Sequence, residues 1–390
     1  MKVKIPAIIG GAVGAAGLVA AAGVVHGVRQ VEREKSKIDS KSAAGLGALS
    51  IDRQSRVLAE DGVSLYVEEV GPSDAPLTVV FVHGFTLNLG SFHFQRLALR
   101  EAFGDGIRMV FYDERSHGRS DKSPSADCTI EQLGRDLATV IDAIVPTGPI
   151  VLVGHSMGGM TIMAMADQRP ADFLTRIGST SSAETDSGVR TGTARIPAVV
   201  FINTSGGNLR TVTLGLPSFV SRWSGPVMPV VLRRAAKNAE LVELGRALGK
   251  DLAWAITKRL SFAAPDVDPA VVAFATNMIS ATPVDVVSDF WSTLMTHDGT
   301  MGLQNLSGCR ALIFGADHDA LTPLSHAEAI AAALPRAELI EVEGAGHLLM
   351  LERPEVVNGP LVDFVGEAVA DAGAVGRRTG SSTRRARTVR

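Results

Sequence analysis

The sequence predicts an α/β fold, a mostly parallel and doubly wound sheet with a helical cap inserted late in the chain. Three observations lead there. Predominantly apolar runs recur at 77–82, 107–112, 150–153 and 311–314, as in strands covered on both faces. Helical segments alternate with them, most clearly at 129–145, where Leu133, Leu137, Val140, Ile141 and Ile144 share one face. A long stretch at 183–308 then breaks the alternation with helical periodicity at 236–262, 269–279 and 283–296.

In chain order, the β-type runs at 54–60 and 64–70 flank Asp61-Gly62 and predict a hairpin. The buried strands follow, with a further strand expected at 174–177. After the insert come a strand at 311–314, a helix at 324–334, a strand at 338–341 and a closing helix at 354–370. The domain plan is therefore a hydrophobic segment at 1–28, a linker at 29–50 and a core of 51–182 with 309–371. A cap at 183–308 and a basic, disordered tail at 372–390 complete it.

The chain has 390 residues, 46% hydrophobic and 20% charged, with a net charge of −3. That supplies a large core and argues against nucleic acid as a partner. The two cysteines, Cys128 and Cys309, are far apart, and Cys309 precedes a buried strand, so it reads as a core residue. No Cys/His cluster has metal-ligand spacing. No metal and no cofactor are expected.

The N-terminus is a separate object. Residues 5–25 carry no charge and as a helix would span about 31 Å. Seven alanines and five glycines stand there against eight Ile, Leu or Val, so the apolar driving force is small. Three readings fit: a retained single-span anchor, a cleaved signal peptide with small residues at Ala20-Ala21-Ala22, or a helix docked on protein. Arg29, Arg33, Lys35 and Lys37 follow the segment and place the main domain on the cytoplasmic side by the positive-inside rule. If the segment is instead cleaved, the protein is secreted. The tail, with Arg377, Arg378, Arg384, Arg385, Arg387 and Arg390 and no acid, is either solvated or drawn to anionic lipid.

The chemistry begins at Gly154-His155-Ser156-Met157-Gly158, directly after the 150–153 run. A strand that turns sharply into a helix strains the central residue, and flanking glycines leave it room. The turn presents the serine oxygen at the sheet's carboxyl end beside the new helix's amides. Ser156 is the candidate nucleophile. His83-Gly84-Phe85 follows another strand, where the Phe85 N–H, with that of Met157, would bind a developing oxyanion. Gly315-Ala316-Asp317-His318-Asp319 follows a third strand, and both Asp317 and Asp319 qualify to orient an imidazole. Gly344-Ala345-Gly346-His347 follows the last strand and offers a general base. His117, His318 and His326 read as solvent-facing or structural, and Phe290 and Trp291 as packing in the cap.

The order Ser, Asp, His, each after a successive strand, is that of α/β-hydrolases. From about residue 55 to 370 the chain resembles that fold superfamily, in the capped esterase- and lipase-like form of actinobacterial type. Tyr112-Asp113-Glu114-Arg115-Ser116-His117-Gly118-Arg119-Ser120 resembles the family's loop after the fourth strand, with Ser116 where glycine is usual. Gly344 to His347, with Glu352-Arg353-Pro354, resembles its histidine loop. By that likeness Asp319, four residues before Pro323, is the triad acid and Asp317 a turn residue. Relatives that open epoxides or cleave carbon–halogen bonds carry aspartate at the elbow, so Ser156 disfavours both reactions.

Ester hydrolysis through an acyl-enzyme on Ser156 is the expectation, with a hydrophobic, lipid-like ester as substrate and membrane lipid as the partner of the N-terminal segment. Perhydrolysis without a cofactor, or carbon–carbon bond hydrolysis, would use the same triad. A ligand-binding protein without turnover has no need of it.

Overall fold

The computed structural model describes residues 34, 36, 38, 45–174, 194–212, 251 and 253–381. One eight-stranded sheet runs in the order β1-β2-β4-β3-β5-β6-β7-β8. β1 (Arg53–Leu58) and β2 (Ser64–Val70) form the expected hairpin, with Gly62 at φ +87° in its turn. β2 pairs antiparallel with β4 (Arg108–Tyr112). Every later pairing is parallel, through β3 (Thr78–Val82), β5 (Ile150–His155), β6 (Ala198–Ile202), β7 (Arg310–Ala316) and β8 (Ala337–Val342).

Nine helices longer than a single 3₁₀ turn are bounded among the described residues. α1 (His93–Phe103), α2 (Ile130–Ile144) and α3 (Met157–Gln168) precede the cap, where α4 (Pro269–Ala281) and α5 (Val284–Thr296) lie. α6 (Thr300–Asn305), α7 (Leu324–Ala333), α8 (Leu349–Glu352) and α9 (Pro354–Ser381) follow. Two start signals are explicit. Thr129 accepts the Gln132 N–H ahead of α2, and Asp268 accepts the Ala270 N–H ahead of Pro269 in α4.

Period-two alternation sends side chains from the same strands into two cores. Phe81, Val153, Ile202 and Phe314 face Leu99 of α1 and Leu361 and Val365 of α9. Val80, Leu152, Phe201 and Ile313 face Leu137 of α2, Ile162 of α3 and Ile330 of α7. The sheet is buried on both sides, which is why its strands read as predominantly apolar runs. Cys128 and Cys309 are both buried free thiols.

The domain plan needs three corrections. Of the strand expected at 174–177, Leu174 sits in a bend and is 44% exposed, and residues 175–177 lie outside the described residues. The sheet position between β5 and β7 belongs to β6, inside the interval assigned to the cap. The core therefore resumes at 198–202, and the insert starts after that strand rather than at 183. At the other end, α9 runs to Ser381, past the boundary at 371 and into the expected tail. The final residues of the 29–50 linker are docked on α1, where the Gly47 N–H donates to His93 Nδ1 and Arg96 donates to the Ser50 carbonyl. The expected segment at 1–28, helical residues 236–250 and tail residues 382–390 lie outside the described residues.

Among the described residues no single helix is long and apolar enough to cross a membrane. α4 and α5 together would be, but they bend by 91° at Thr282-Pro283. Both belong to the cap and lean on the core. Ser125 donates to Asp289, Lys122 pairs with Asp285, and the Ile130 N–H donates to Thr293.

α2 lies against α3 at Gly134, where a Cβ would stand 2.8 Å from Met165 N and 3.0 Å from the Ala164 carbonyl carbon. Both are backbone atoms and cannot swing aside. Gly134→Val is expected to lower stability by about 1–3 kcal/mol through overpacking, read as a drop of several degrees in thermal denaturation. An unchanged midpoint would contradict this contact.

Candidate active site

The strand order reverses at β3. The chain goes from β3 out to β4 and returns to β5 on β3's other side. Loops after β3 and β5 diverge there and leave a crevice at the carboxyl ends of the strands. Ser156 leaves β5 and Phe85 leaves β3, so both arrive at this point.

Ser156 is half-buried at φ +51°, ψ −118°, a conformation a non-glycine residue holds only under outside constraint. The constraint is visible in its neighbours. A Cβ on Gly154 would stand 2.7 Å from the Gly158 carbonyl oxygen, and one on Gly158 would stand 2.0 Å from the Val82 carbonyl oxygen. Below the elbow, Ser156 N donates to Ile202 O (3.1 Å) and Thr204 Oγ1 donates to Ser156 O (2.6 Å). β6 thus braces the turn.

His347 Nε2 is 3.0 Å from Ser156 Oγ, and its Nδ1 is 2.8 Å from Asp319 Oδ2. Asp319 also accepts the Leu321 and Thr322 N–H groups and the Thr322 hydroxyl. Burial alone would raise its pKa. The His347 imidazole and these donors outweigh burial and hold the carboxyl below its ordinary value. An ionised Asp319 keeps the proton on His347 Nδ1 and leaves Nε2 bare toward the serine hydroxyl. Of the two acids left open by spacing, only Asp319 meets His347. Asp317 accepts the Gly344 N–H at the loop's base.

The His83-Gly84-Phe85 loop crosses the elbow closely, since a Cβ on Gly84 would stand 3.1 Å from Ser156 Cβ and 2.6 Å from His155 Nδ1. Among the described residues neither the Phe85 nor the Met157 N–H donates to another group. Both are open to an oxyanion. His83 is buried, and its pKa is pushed down to about 3 by burial. It accepts the Glu114 N–H at Nε2 and donates Nδ1–H to the Gly84 carbonyl, which locks the loop.

Spacing did not reveal the residues that hold the histidine loop. His155, buried and pushed down to about 3 by burial, donates Nε2–H to the His347 carbonyl (3.0 Å). Asn203, just after β6, donates to the Gly346 and His347 carbonyls at 2.8 and 3.1 Å. Glu352 accepts three backbone N–H groups, Gly346 at 2.6 Å, Ala263 at 2.7 Å and Ala264 at 2.5 Å, joining the loop to the cap. Only the position of Glu352 ahead of Arg353-Pro354 gave a signal.

His117 is buried and donates Nδ1–H to the Arg115 carbonyl, His318 is exposed, and His326 contacts Ser205. None touches the triad. Phe290 is fully buried beside Phe85 and His117. Ser116 takes φ +65° in place of glycine, and its Oγ accepts the Ser123 N–H. Among the described residues no group of three or more His, Cys, Asp or Glu converges to hold a metal.

The doubly wound sheet with a serine elbow at its switch point defines a hydrolase scaffold. Residues 79–359 match the model of the alpha/beta hydrolase family, and the chain belongs to it. The chain is 41% identical over 106 residues to the sn-1-specific diacylglycerol lipase of Mus musculus, covering 27% of this chain and 32% of that protein. It is 32% identical over 116 residues to the bifunctional esterase/perhydrolase of Acinetobacter calcoaceticus, covering 30% and 40%. These matches thus span a third to two fifths of the relatives' lengths. Among solved structures, an esterase from Thermogutta terrifontis superposes with a TM-score of 0.58 at 24% identity, covering 81% of this chain and 98% of that one. That likeness concerns the fold.

His83, His117 and His155 are held neutral, at about 3, 4 and 3, against an ordinary 6.5. A group with a depressed folded pKa contributes stability that is present above 6.5 and lost as pH falls toward the folded value. Glu114 and Asp113, raised to about 8 and 6 by burial, act in the opposite direction over the same range, so the difference between proteins isolates the histidine: the wild-type thermal midpoint is expected to lose ground to that of His155→Gln as pH falls from 6.5 to 4. A difference constant across that range would contradict the neutral assignment of His155.

Proposed function

We propose that the protein hydrolyses a carboxylic ester with a hydrophobic acyl or alcohol group, through an acyl-enzyme on Ser156. The observation that carries this is the unbroken chain from Ser156 Oγ to His347 to Asp319, at 3.0 and 2.8 Å. Ser156 Oγ attacks the ester carbonyl while His347 Nε2 takes its proton. The carbonyl oxygen becomes an oxyanion between the Phe85 and Met157 N–H groups. His347 returns the proton to the departing alkoxide, and the alcohol leaves. Water then attacks the acyl-enzyme under His347 base catalysis, releasing the acid and restoring the serine. Asp319 holds the imidazole in the required tautomer and stabilises its protonated form.

The hydrophobic preference rests on the apolar cluster that adjoins the oxyanion loop, which includes Met157, Phe290 and Leu294 and against which Phe85 packs. Phe290 belongs to the cap and Met157 to the elbow, so the cap packs apolar side chains beside the nucleophile. A lipid-like ester suits those apolar surroundings and suits a domain tethered by residues 5–25. On this reading the segment is a single span with the catalytic domain on the cytoplasmic side, and a secreted form after cleavage is the alternative. Extraction of the full chain by detergent but not by carbonate supports the tether; a processed N-terminus in soluble medium contradicts it. A second chemistry at the same triad, perhydrolysis, is favoured by the likeness to the esterase/perhydrolase. Hydrogen peroxide would then replace water in the second step and give a peracid.

The test is hydrolysis of p-nitrophenyl esters of increasing acyl length. Ser156→Ala is expected to lose at least about 10³-fold in kcat, and Asp319→Asn a comparable amount through the wrong tautomer. Maximal rates at medium or long chains support the hydrophobic assignment. Activity retained in Ser156→Ala contradicts the mechanism.

A further inference from the structure

Glu114 has no part in the triad, yet it touches both supports of the oxyanion hole. It is fully buried in the loop after β4. Its backbone N–H donates to His83 Nε2, in the loop that carries Phe85. Its Oε1 lies 2.8 Å from Thr161 Oγ1, one turn along α3 from Met157, and Thr161 Oγ1 lies 3.1 Å from the Met157 carbonyl oxygen.

The Thr161 hydroxyl has one hydrogen and two acceptors within reach. Both contacts are hydrogen bonds only when Glu114 Oε1 carries a proton, so that the acid donates to Thr161 and Thr161 donates to Met157. Among the described residues the nearest cation, Arg115, only partly offsets a charge on Glu114. The adjacent Arg115 is held by Asp136 at 2.5 and 2.7 Å and by Asp61 at 2.7 Å. Glu114 Oε2 makes no hydrogen bond of normal geometry; the Tyr112 hydroxyl beside the carboxyl favours its charged form without outweighing burial.

We propose that Glu114 is a positioning residue kept as a neutral carboxylic acid, whose proton completes a Glu114–Thr161–Met157 relay that sets the two oxyanion donors. Losing that proton turns Thr161 toward the carboxylate and frees the Met157 carbonyl. It also places a negative charge behind the amide that must stabilise the oxyanion. The enzyme then has a built-in alkaline limit.

The groups facing Glu114 act in both directions, with Thr161, Arg115 and Tyr112 favouring its charge and burial and Asp136 opposing it. Tyr112, from β4, is pushed well above its ordinary value by burial and stays neutral. His83, from the oxyanion loop, is neutral, as is His117 in the same loop as Glu114. Asp136, from α2, adds negative charge, which Arg115 partly offsets, and α3 presents only Thr161. Burial is the largest influence on Glu114 and pushes it up to about 8.

This inference rests on the hydrolase reading, and the experiment separates the two. The kcat of the wild type on p-nitrophenyl butyrate, corrected for spontaneous hydrolysis, is expected to fall at least fivefold between pH 7 and 9.5, with KM changed less than twofold. Glu114→Gln, which can donate through its amide, is expected to fall less than twofold over that range. Thr161→Val, which breaks the relay in its middle, is expected to show the lowered kcat already at pH 7.

Infrared difference spectra of wild type against Glu114→Gln should show a protonated carboxyl band at pH 6 that is gone at pH 10. Coincident pH profiles, or no such band at pH 6, overturn the proposal. If the wild type neither hydrolyses esters nor reacts at Ser156 with a fluorophosphonate, the hydrolase reading fails. The infrared band still decides the state of Glu114.

Discussion

Ser156 occupies a backbone conformation that costs of order 1–3 kcal/mol for a residue with a side chain, and the rest of the site is arranged around keeping it there. At φ +51° the chain leaves β5 and enters α3 without an intervening loop. That brings Gly158 so close to β3 that only hydrogen fits on its Cα. The same compression puts the start of α3 under the loop leaving β3, where Phe85 and Met157 present free amides. A relaxed turn would separate these amides and withdraw the serine oxygen from His347. The candidate nucleophile, the candidate oxyanion donors and the sheet's switch point are one geometric fact.

The histidine is held with comparable care, from beneath and from the side. Its carbonyl accepts from both His155 and Asn203. His155 is the second residue of the elbow pentapeptide, so the nucleophile turn and the base loop share a direct bond. Burial in this dry site pushes the His155 pKa down to about 3, and the bond to the His347 carbonyl only partly opposes that, so the ring is neutral. Glu352 collects amides from the histidine loop and from cap residues 263 and 264. Movement of the cap is therefore mechanically linked to the placement of His347.

Much of this was legible in the sequence, and the exceptions have physical causes. Strands buried on both faces announce themselves as apolar runs, and the glycine spacing around Ser156 and His347 reports sites where a Cβ cannot fit. β6 was misplaced because Ala198-Val199-Val200-Phe201-Ile202 sits in a stretch as apolar as the cap, where a short run does not distinguish a buried strand from a helix. Losing β6 also hid Asn203 and Thr204, which matter only because they follow that strand. His155 and Glu114 looked ordinary for another reason. Their roles arise from contacts between loops far apart in the chain, such as Glu114 with Thr161, which no local spacing encodes. Asp319 and Asp317 were equivalent by spacing, and the three donors that fold around Asp319 separate them.

The central claim is that Ser156 forms a covalent acyl intermediate. Rapid acid quench of the full-length protein during turnover of p-nitrophenyl acetate, followed by intact mass and peptide mapping, tests it directly. The account predicts an acetyl adduct on the peptide bearing Ser156, formed at the rate of the p-nitrophenol burst and absent from Ser156→Ala. Turnover without an adduct, or an adduct mapped to another residue, would contradict it.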